Sequence, residues 1–116
     1  MILMSNNNKN LILYRRFRIK SGKKEEFKEL LSANMRAMEH KIAFVSAVFS
    51  DDIDNPNEVT LFEIWKGTKE SWLAELPKPY RNTYENKLVD LIDERIISYL
   101  IPMNEWRTNL SNKKVN

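Results

Sequence analysis

Val59-Thr60-Leu61-Phe62-Glu63-Ile64-Trp65-Lys66 is the stretch on which the fold turns. Its β-branched and aromatic residues suit a strand, and a period of two puts Val59, Leu61, Glu63 and Trp65 on one face. If that face is the inner one, a carboxylate and an indole enter the interior together, at a cost on the order of several kcal/mol unless the carboxylate is paired. Such a wall suits a pocket better than a plain core.

Upstream, Leu11 to Lys20 reads as a strand with Leu11, Leu13, Phe17 and Ile19 on one face and Arg15 interrupting it. Ser21-Gly22 supplies a turn and a candidate N-cap. Phe27, Leu30, Leu31, Met35 and Met38 then repeat at helical spacing, with Glu25 and Glu26 at the start and an end expected near His40-Lys41. Ala43 to Ser50 is β-prone and stops at Asp51-Asp52-Ile53-Asp54-Asn55-Pro56-Asn57, a turn rich in Asx side chains that predicts an antiparallel hairpin. Its aspartates lack the glycine and distal glutamate of an EF-hand, so a solvated turn is the better reading than a calcium loop.

Downstream, Thr68 is a good N-cap for a short helix carrying Trp72, Leu73 and Leu76, which Pro77 and Pro79 break. Tyr80, Tyr84, Leu88, Leu91 and Ile92 form a second helical stripe, and Ile96 to Met103 reads as the last strand. The order strand, helix, strand, strand, helix, strand predicts an α+β fold of the ferredoxin-like split βαβ type, with a four-stranded antiparallel sheet and helices on one face. Outward residues such as Tyr14, Val48, Phe62 and Ile64 are too apolar for water. A second copy of the sheet is the simplest cover, so a homodimer is expected.

The 116 residues, 42% of them hydrophobic, suit one domain with one core, expected over residues 10–106 between flexible polar tails at 1–9 and 107–116. The absence of Cys excludes disulfides and thiol chemistry, and the single His excludes a multi-histidine metal centre within one chain. Met1-Ile2-Leu3-Met4 is too short for a signal or membrane segment, so cytoplasmic residence without a membrane is the default expectation. The net charge of +3 is misleading: the tails hold four cations and no acid, which leaves residues 10–106 at −1. The basic run Arg15-Arg16-Phe17-Arg18 gives way to Glu25, Glu26 and Glu29, and no nucleic-acid partner is expected. With two Gly and no Ser-His-Asp set, hydrolase and nucleotide-binding readings fail on inventory.

Several segments recur in one order: Phe17-Arg18-Ile19-Lys20-Ser21-Gly22-Lys23 leading to Glu26-Phe27 and Leu30-Leu31, then Asp54-Asn55-Pro56-Asn57-Glu58-Val59, Glu63-Ile64-Trp65-Lys66, and Pro79-Tyr80 leading to Leu88. This ordered set, over residues 10–106, resembles the antibiotic-biosynthesis-monooxygenase-like family of dimeric α+β barrels. The resemblance implies a small homodimer and no cofactor. It implies a pocket between sheet and helices in which an electron-rich aromatic is deprotonated and passes an electron to oxygen. Other branches of the family degrade haem, isomerise small sugars or have no assigned activity, so a dimeric small-ligand-binding or stress-associated protein is the alternative.

The resemblance makes Trp65 the pocket-lining tryptophan, whose indole N–H can donate to a substrate oxygen, and Glu63 a base or the partner of Arg15. Arg15 is either a cation for an anionic substrate or oxyanion, or a charge at the barrel mouth. Trp72, Tyr80, Tyr84 and Phe17 are assigned to substrate contact, against the alternative of core packing. No metal ligands are expected. Ala74, Pro79 and Tyr84 stand where relatives place histidines, and Arg15 where the haem-degrading branch places Asn, so imidazole catalysis is lost there and haem cleavage becomes a minor reading. The only His, His40, is expected to cap the first helix.

Overall fold

Alternating apolar side chains build a strand β1 (Asn10–Ile19), and the 3.6-residue stripe from Phe27 to Met38 builds the helix α1 (Lys24–Met38) that packs on it. The chain continues through β2 (Phe44–Asp51), β3 (Glu58–Lys66), α2 (Lys69–Leu73), α3 (Pro79–Leu88) and β4 (Ile92–Leu100). The computed structural model describes residues 10–76, 79–106 and 108, the side chain of Tyr80 excepted. The tails expected at 1–9 and 107–116 therefore lie, Thr108 aside, outside the described residues.

The four strands form one antiparallel sheet in the order β2-β3-β1-β4, with helices on one face, which is the ferredoxin-like arrangement expected from the sequence. Leu11, Leu13, Arg15, Phe17 and Ile19 of β1 point to the helices and are buried, as are Val59, Leu61, Glu63 and Trp65 of β3. A bulge between Phe44 and Ser46 keeps β2 in phase, so that Phe44 lies opposite Trp65 and Ala47 opposite Glu63.

Local chemistry fixes the connections. Gly22 takes φ +79°, a conformation β-carbons disfavour. The N-cap of α1 is Lys23, which makes no side-chain capping bond, so the cap expected at Ser21-Gly22 falls two residues later than Ser21. In the β2–β3 hairpin, Asp52 Oδ1 accepts hydrogen bonds from the backbone N–H of Asp54 (2.9 Å) and Asn55 (3.2 Å), the Asx turn that the segment's composition predicts. After β3, Gly67 at φ +114° turns the chain into a capping box: Thr68 Oγ1 accepts from the Ser71 N–H and Ser71 Oγ from the Thr68 N–H. That turn swings Trp72 back over Trp65.

β4 and α1 differ in their bounds from the sequence reading. β4 begins at Ile92 rather than Ile96 and ends at Leu100, so Leu91 and Ile92 belong to the turn and the strand and not to a helical stripe. An apolar residue at the end of a helix fits either period, and pairing of Ile92 with Ile19 decides it. α1 ends at Met38 with Glu39 as C-cap, leaving His40 exposed one residue beyond.

The outer sheet face splits in two. Near the hairpin, Arg16 and Arg18 pair with Asp52, Glu58 and Glu94 at 3.1–3.7 Å. The rest is apolar: Val48, Phe62, Ile96 and Leu100 are 58%, 38%, 48% and 44% exposed, beside half-buried Ile12, Tyr14 and Ile64. Among the described residues no helix is long and apolar enough to cross a membrane.

Candidate functional site

Strand register brings a cation and an anion together inside the fold. Leu13 lies opposite Glu63 and Arg15 opposite Leu61, so Arg15 and Glu63 are diagonal neighbours on the inner face, roughly 7–8 Å apart at the backbone. Their side chains close that gap to 3.1 Å between Arg15 Nη2 and Glu63 Oε2. Arg15 is 2% exposed and Glu63 0%, so Arg15 is no charge at a barrel mouth. The small Ala47 across β3 from Glu63 leaves room for the carboxylate. Removing one partner strands the other charge, a loss of about 3–5 kcal/mol for such buried pairs.

Trp65 completes the set. Its indole Nε1–H donates to Glu63 Oε1 at 3.3 Å, so the donor that the sequence reading assigned to a substrate oxygen is engaged within the protein. Phe44 meets the indole edge-on at 5.2 Å between centroids, and Trp72 lies tilted against it at 4.9 Å. Trp72 in turn faces two guanidiniums, Arg15 at 5.5 Å and Arg81 at 5.3 Å from its centroid.

Arg81 is a residue the sequence reading missed. It is 2% exposed and lies 3.6 Å from Glu85, which Arg95 Nη1 also contacts at 2.9 and 3.0 Å. The signal was available: Arg81, Tyr84 and Leu88 follow the i, i+3, i+7 spacing of one buried helix face. An arginine was passed over there because a charge on an apolar stripe ordinarily marks the stripe's edge.

Of the residues singled out from sequence, Arg15, Glu63, Trp65 and Trp72 form a closed ring of contacts, each touching the next, and Tyr84 joins them through Arg81, whose guanidinium sits 5.6 Å from the Tyr84 ring. Phe17 is fully buried in a neighbouring cluster, edge-on to Phe27 at 5.0 Å. The Tyr80 side chain lies outside the described residues.

Two hollows flank the cluster. The larger, about 570 Å³, opens beside Trp65 and Trp72 and is walled by Leu11, Ala43 and Ser71, with the Lys41–Glu75 ion pair (3.4 Å) on its lining. That volume falls in the range of small-molecule sites. The smaller lies on the Arg81 side of Trp72.

A family model for antibiotic biosynthesis monooxygenase matches residues 10–75, a segment holding both partners of the ion pair and both stacked indoles. The chain belongs to the antibiotic biosynthesis monooxygenase family. Its fold is similar to that of SnoaB, a cofactor-independent oxygenase from Streptomyces nogalater, at TM-score 0.74 and 14% identity, over 84% of this chain and 96% of that one. A conserved protein from Methanosarcina mazei superposes at TM-score 0.76 and 16% identity, over 85% and 98% of the two chains. Rv0793 from Mycobacterium tuberculosis does so at 0.72 and 19%, over 83% and 97%. No curated protein matches the chain significantly. At these identities the solved structures speak to the fold, and the family's chemistry has to be argued from this chain's own residues.

Tyr84 is 3% exposed, and its hydroxyl has no hydrogen-bond partner among the described residues. Burial pushes its pKa above the usual 10.0; Arg15 pulls it back, Glu85 adds to the rise, and Arg81 and Arg95 oppose it. A neutral buried phenol favours the folded state fully below about pH 10, where the unfolded chain starts to ionise, and that contribution is lost as pH climbs through the raised folded value. Tyr84→Phe is therefore expected to change stability at pH 7 by less than about 1 kcal/mol, and to fall less steeply than wild type above pH 10 in urea unfolding. A loss above about 2 kcal/mol at pH 7 would show that the hydroxyl is bonded in the folded state.

Proposed function

We propose that this chain is a cofactor-independent monooxygenase of the cytoplasm that oxidises a small aromatic or quinol-type substrate with O2. The observation that carries the reading is the buried Arg15–Glu63 pair, tied by Glu63 to the indole of Trp65 at the wall of a 570 Å³ cleft. The substrate ring lies in that cleft against Trp65 and Trp72, whose faces suit a flat electron-rich ring. Glu63, which lies behind the cleft wall and is joined to it by its bond to the Trp65 indole, is the proton acceptor in this proposal. Arg15, also behind that wall, acts on the developing oxyanion through space in a low-dielectric surround. The resulting carbanion or phenolate reduces O2 directly. At a ring methylene, one oxygen atom ends as the new carbonyl and the other leaves as water with the two hydrogens displaced, so no external reductant is consumed.

A second copy of the chain covers the apolar outer face formed by Tyr14, Val48, Phe62, Ile64 and Ile96. Exposed apolar surface on that scale favours association. Sedimentation equilibrium is expected to give a particle of twice the 13.8 kDa chain mass. A monomer at micromolar concentration would contradict the pairing of sheets.

The alternative, a dimeric small-ligand-binding or stress-associated protein without chemistry, is favoured by one observation: Glu63 contacts both Arg15 and Trp65, and the sole imidazole, His40, is exposed beyond the C-cap of α1. Oxygen uptake with a panel of quinols and anthrone-like phenols separates the two. Wild type is expected to exceed substrate autoxidation, and both Trp65→Phe, which leaves Glu63 without its indole donor, and Arg15→Ala, once shown to be folded, to lose rate, Arg15→Ala by about 100-fold or more, as removal of one oxyanion donor does elsewhere. Uptake at the autoxidation rate, unchanged in the variants, would leave the binding protein.

A further inference from the structure

The hollow on the far side of Trp72 has a chemistry of its own. Its volume is about 220 Å³, and the charged groups on its wall are Arg15, Arg81, Arg95 and Glu85, with Trp72 and Tyr99 as aromatic walls. Among the described residues three guanidiniums thus face the space with one carboxylate. Glu85 is shared between Arg95 at 2.9 Å and Arg81 at 3.6 Å, while Glu63 reaches Arg15 from the Trp65 side. Lys69 adds a further cation 4.5 Å from the Tyr99 ring.

Positive groups gathered in a partly enclosed, low-dielectric space raise the local concentration of anions. Guanidinium groups present planar N–H pairs that match a carboxylate better than a point charge does. Arg15 is nine-tenths buried and more, yet its Nε–H has no hydrogen-bond acceptor among the described residues. An unpaired buried donor of that kind is costly, and an anion that accepts from it would remove the cost. The aromatic walls and the size limit the occupant further. A cavity of about 150 Å³ holds a benzene ring, so 220 Å³ leaves space for one ring and a carboxylate.

We propose that this hollow binds a monocyclic aromatic carboxylate, its carboxylate among Arg15, Arg81 and Arg95 and its ring against Trp72 and Tyr99. The site lies across Trp72 from the cleft at Trp65, shares Arg15 with the role proposed for it there, and stands whether or not the chain reacts with oxygen.

Two probes that differ by one carboxylate test it by isothermal titration of the full chain at pH 7: 2,5-dihydroxybenzoate and hydroquinone. The benzoate is expected to bind at least about tenfold tighter, as one added charge-assisted contact would give, and raising the salt is expected to shrink that margin. Arg95→Gln, at a partly exposed position, is expected to cut the margin to about threefold or less while leaving hydroquinone affinity unchanged. Ile97→Glu, which sets a carboxylate on the wall, is expected to abolish it, and supplies the test should Arg95→Gln fail to fold. Equal affinities, no binding of either probe, or a margin untouched by both substitutions would overturn the proposal.

Discussion

Everything at the centre of this molecule is arranged around one ion pair that water does not reach. A carboxylate and a guanidinium buried on the inner face of a sheet are tolerable only together, and the sheet brings them together by register: β1 and β3 pair so that Arg15 and Glu63 fall on one diagonal. A slip of either strand by one residue would turn its charge to the opposite face along with every apolar neighbour on that strand, parting the two charges, so the pair and the core specify the same register. The indole of Trp65 is then fixed by Glu63, Trp72 by Trp65 and by the two arginines beside it, and the short helix α2 by the capping box that delivers Trp72.

Much of this was readable in the chain. The period-two runs gave the strands and the inward position of Glu63 and Trp65, Thr68 gave the start of α2, and the Asp-rich segment gave the hairpin. A pairing of Arg15 with Glu63 across the sheet was one of two roles open to Glu63 in the sequence, and its diagonal geometry came from the strand register. What stayed hidden depended on contacts between elements distant in sequence. Arg81 and Arg95 acquire meaning only when α3 and β4 meet at Glu85, and no local pattern announces that meeting. The start of β4 was missed because Leu91 and Ile92 extend the apolar stripe of α3 and fit either period until pairing with Ile19 decides. The engagement of the Trp65 N–H by Glu63 was out of reach for a subtler reason. Residues two apart on a strand share a face, but whether their tips meet depends on side-chain conformations set by Phe44 and Trp72.

The chemistry proposed for this chain asks for a dry cavity, a proton acceptor and a group that tolerates negative charge. Ala74, Pro79 and Tyr84 stand where the resemblance places histidines, and the buried charged groups present are Arg15, Glu63 and Arg81. Buried guanidiniums keep the interior charged, since an arginine holds its proton in proteins. Two hollows of different character flank one tryptophan: the side of Trp72 next to Trp65 combines the two indoles and aliphatic groups with the Lys41–Glu75 pair, and the opposite side is where the guanidiniums collect.

The indole proton of Trp65 reports on the central claim most directly. It is bonded to Glu63 and its side chain is 3% exposed, whereas Trp106 is 70% exposed. In 15N-resolved hydrogen exchange the Trp65 indole is expected to persist for hours after transfer to deuterated buffer, while that of Trp106 is gone in the first spectrum. Glu63→Gln should shift the Trp65 resonance more than that of any other tryptophan. If the Trp65 proton exchanges as fast as that of Trp106, the buried pair does not hold the indole and the account built on it is wrong.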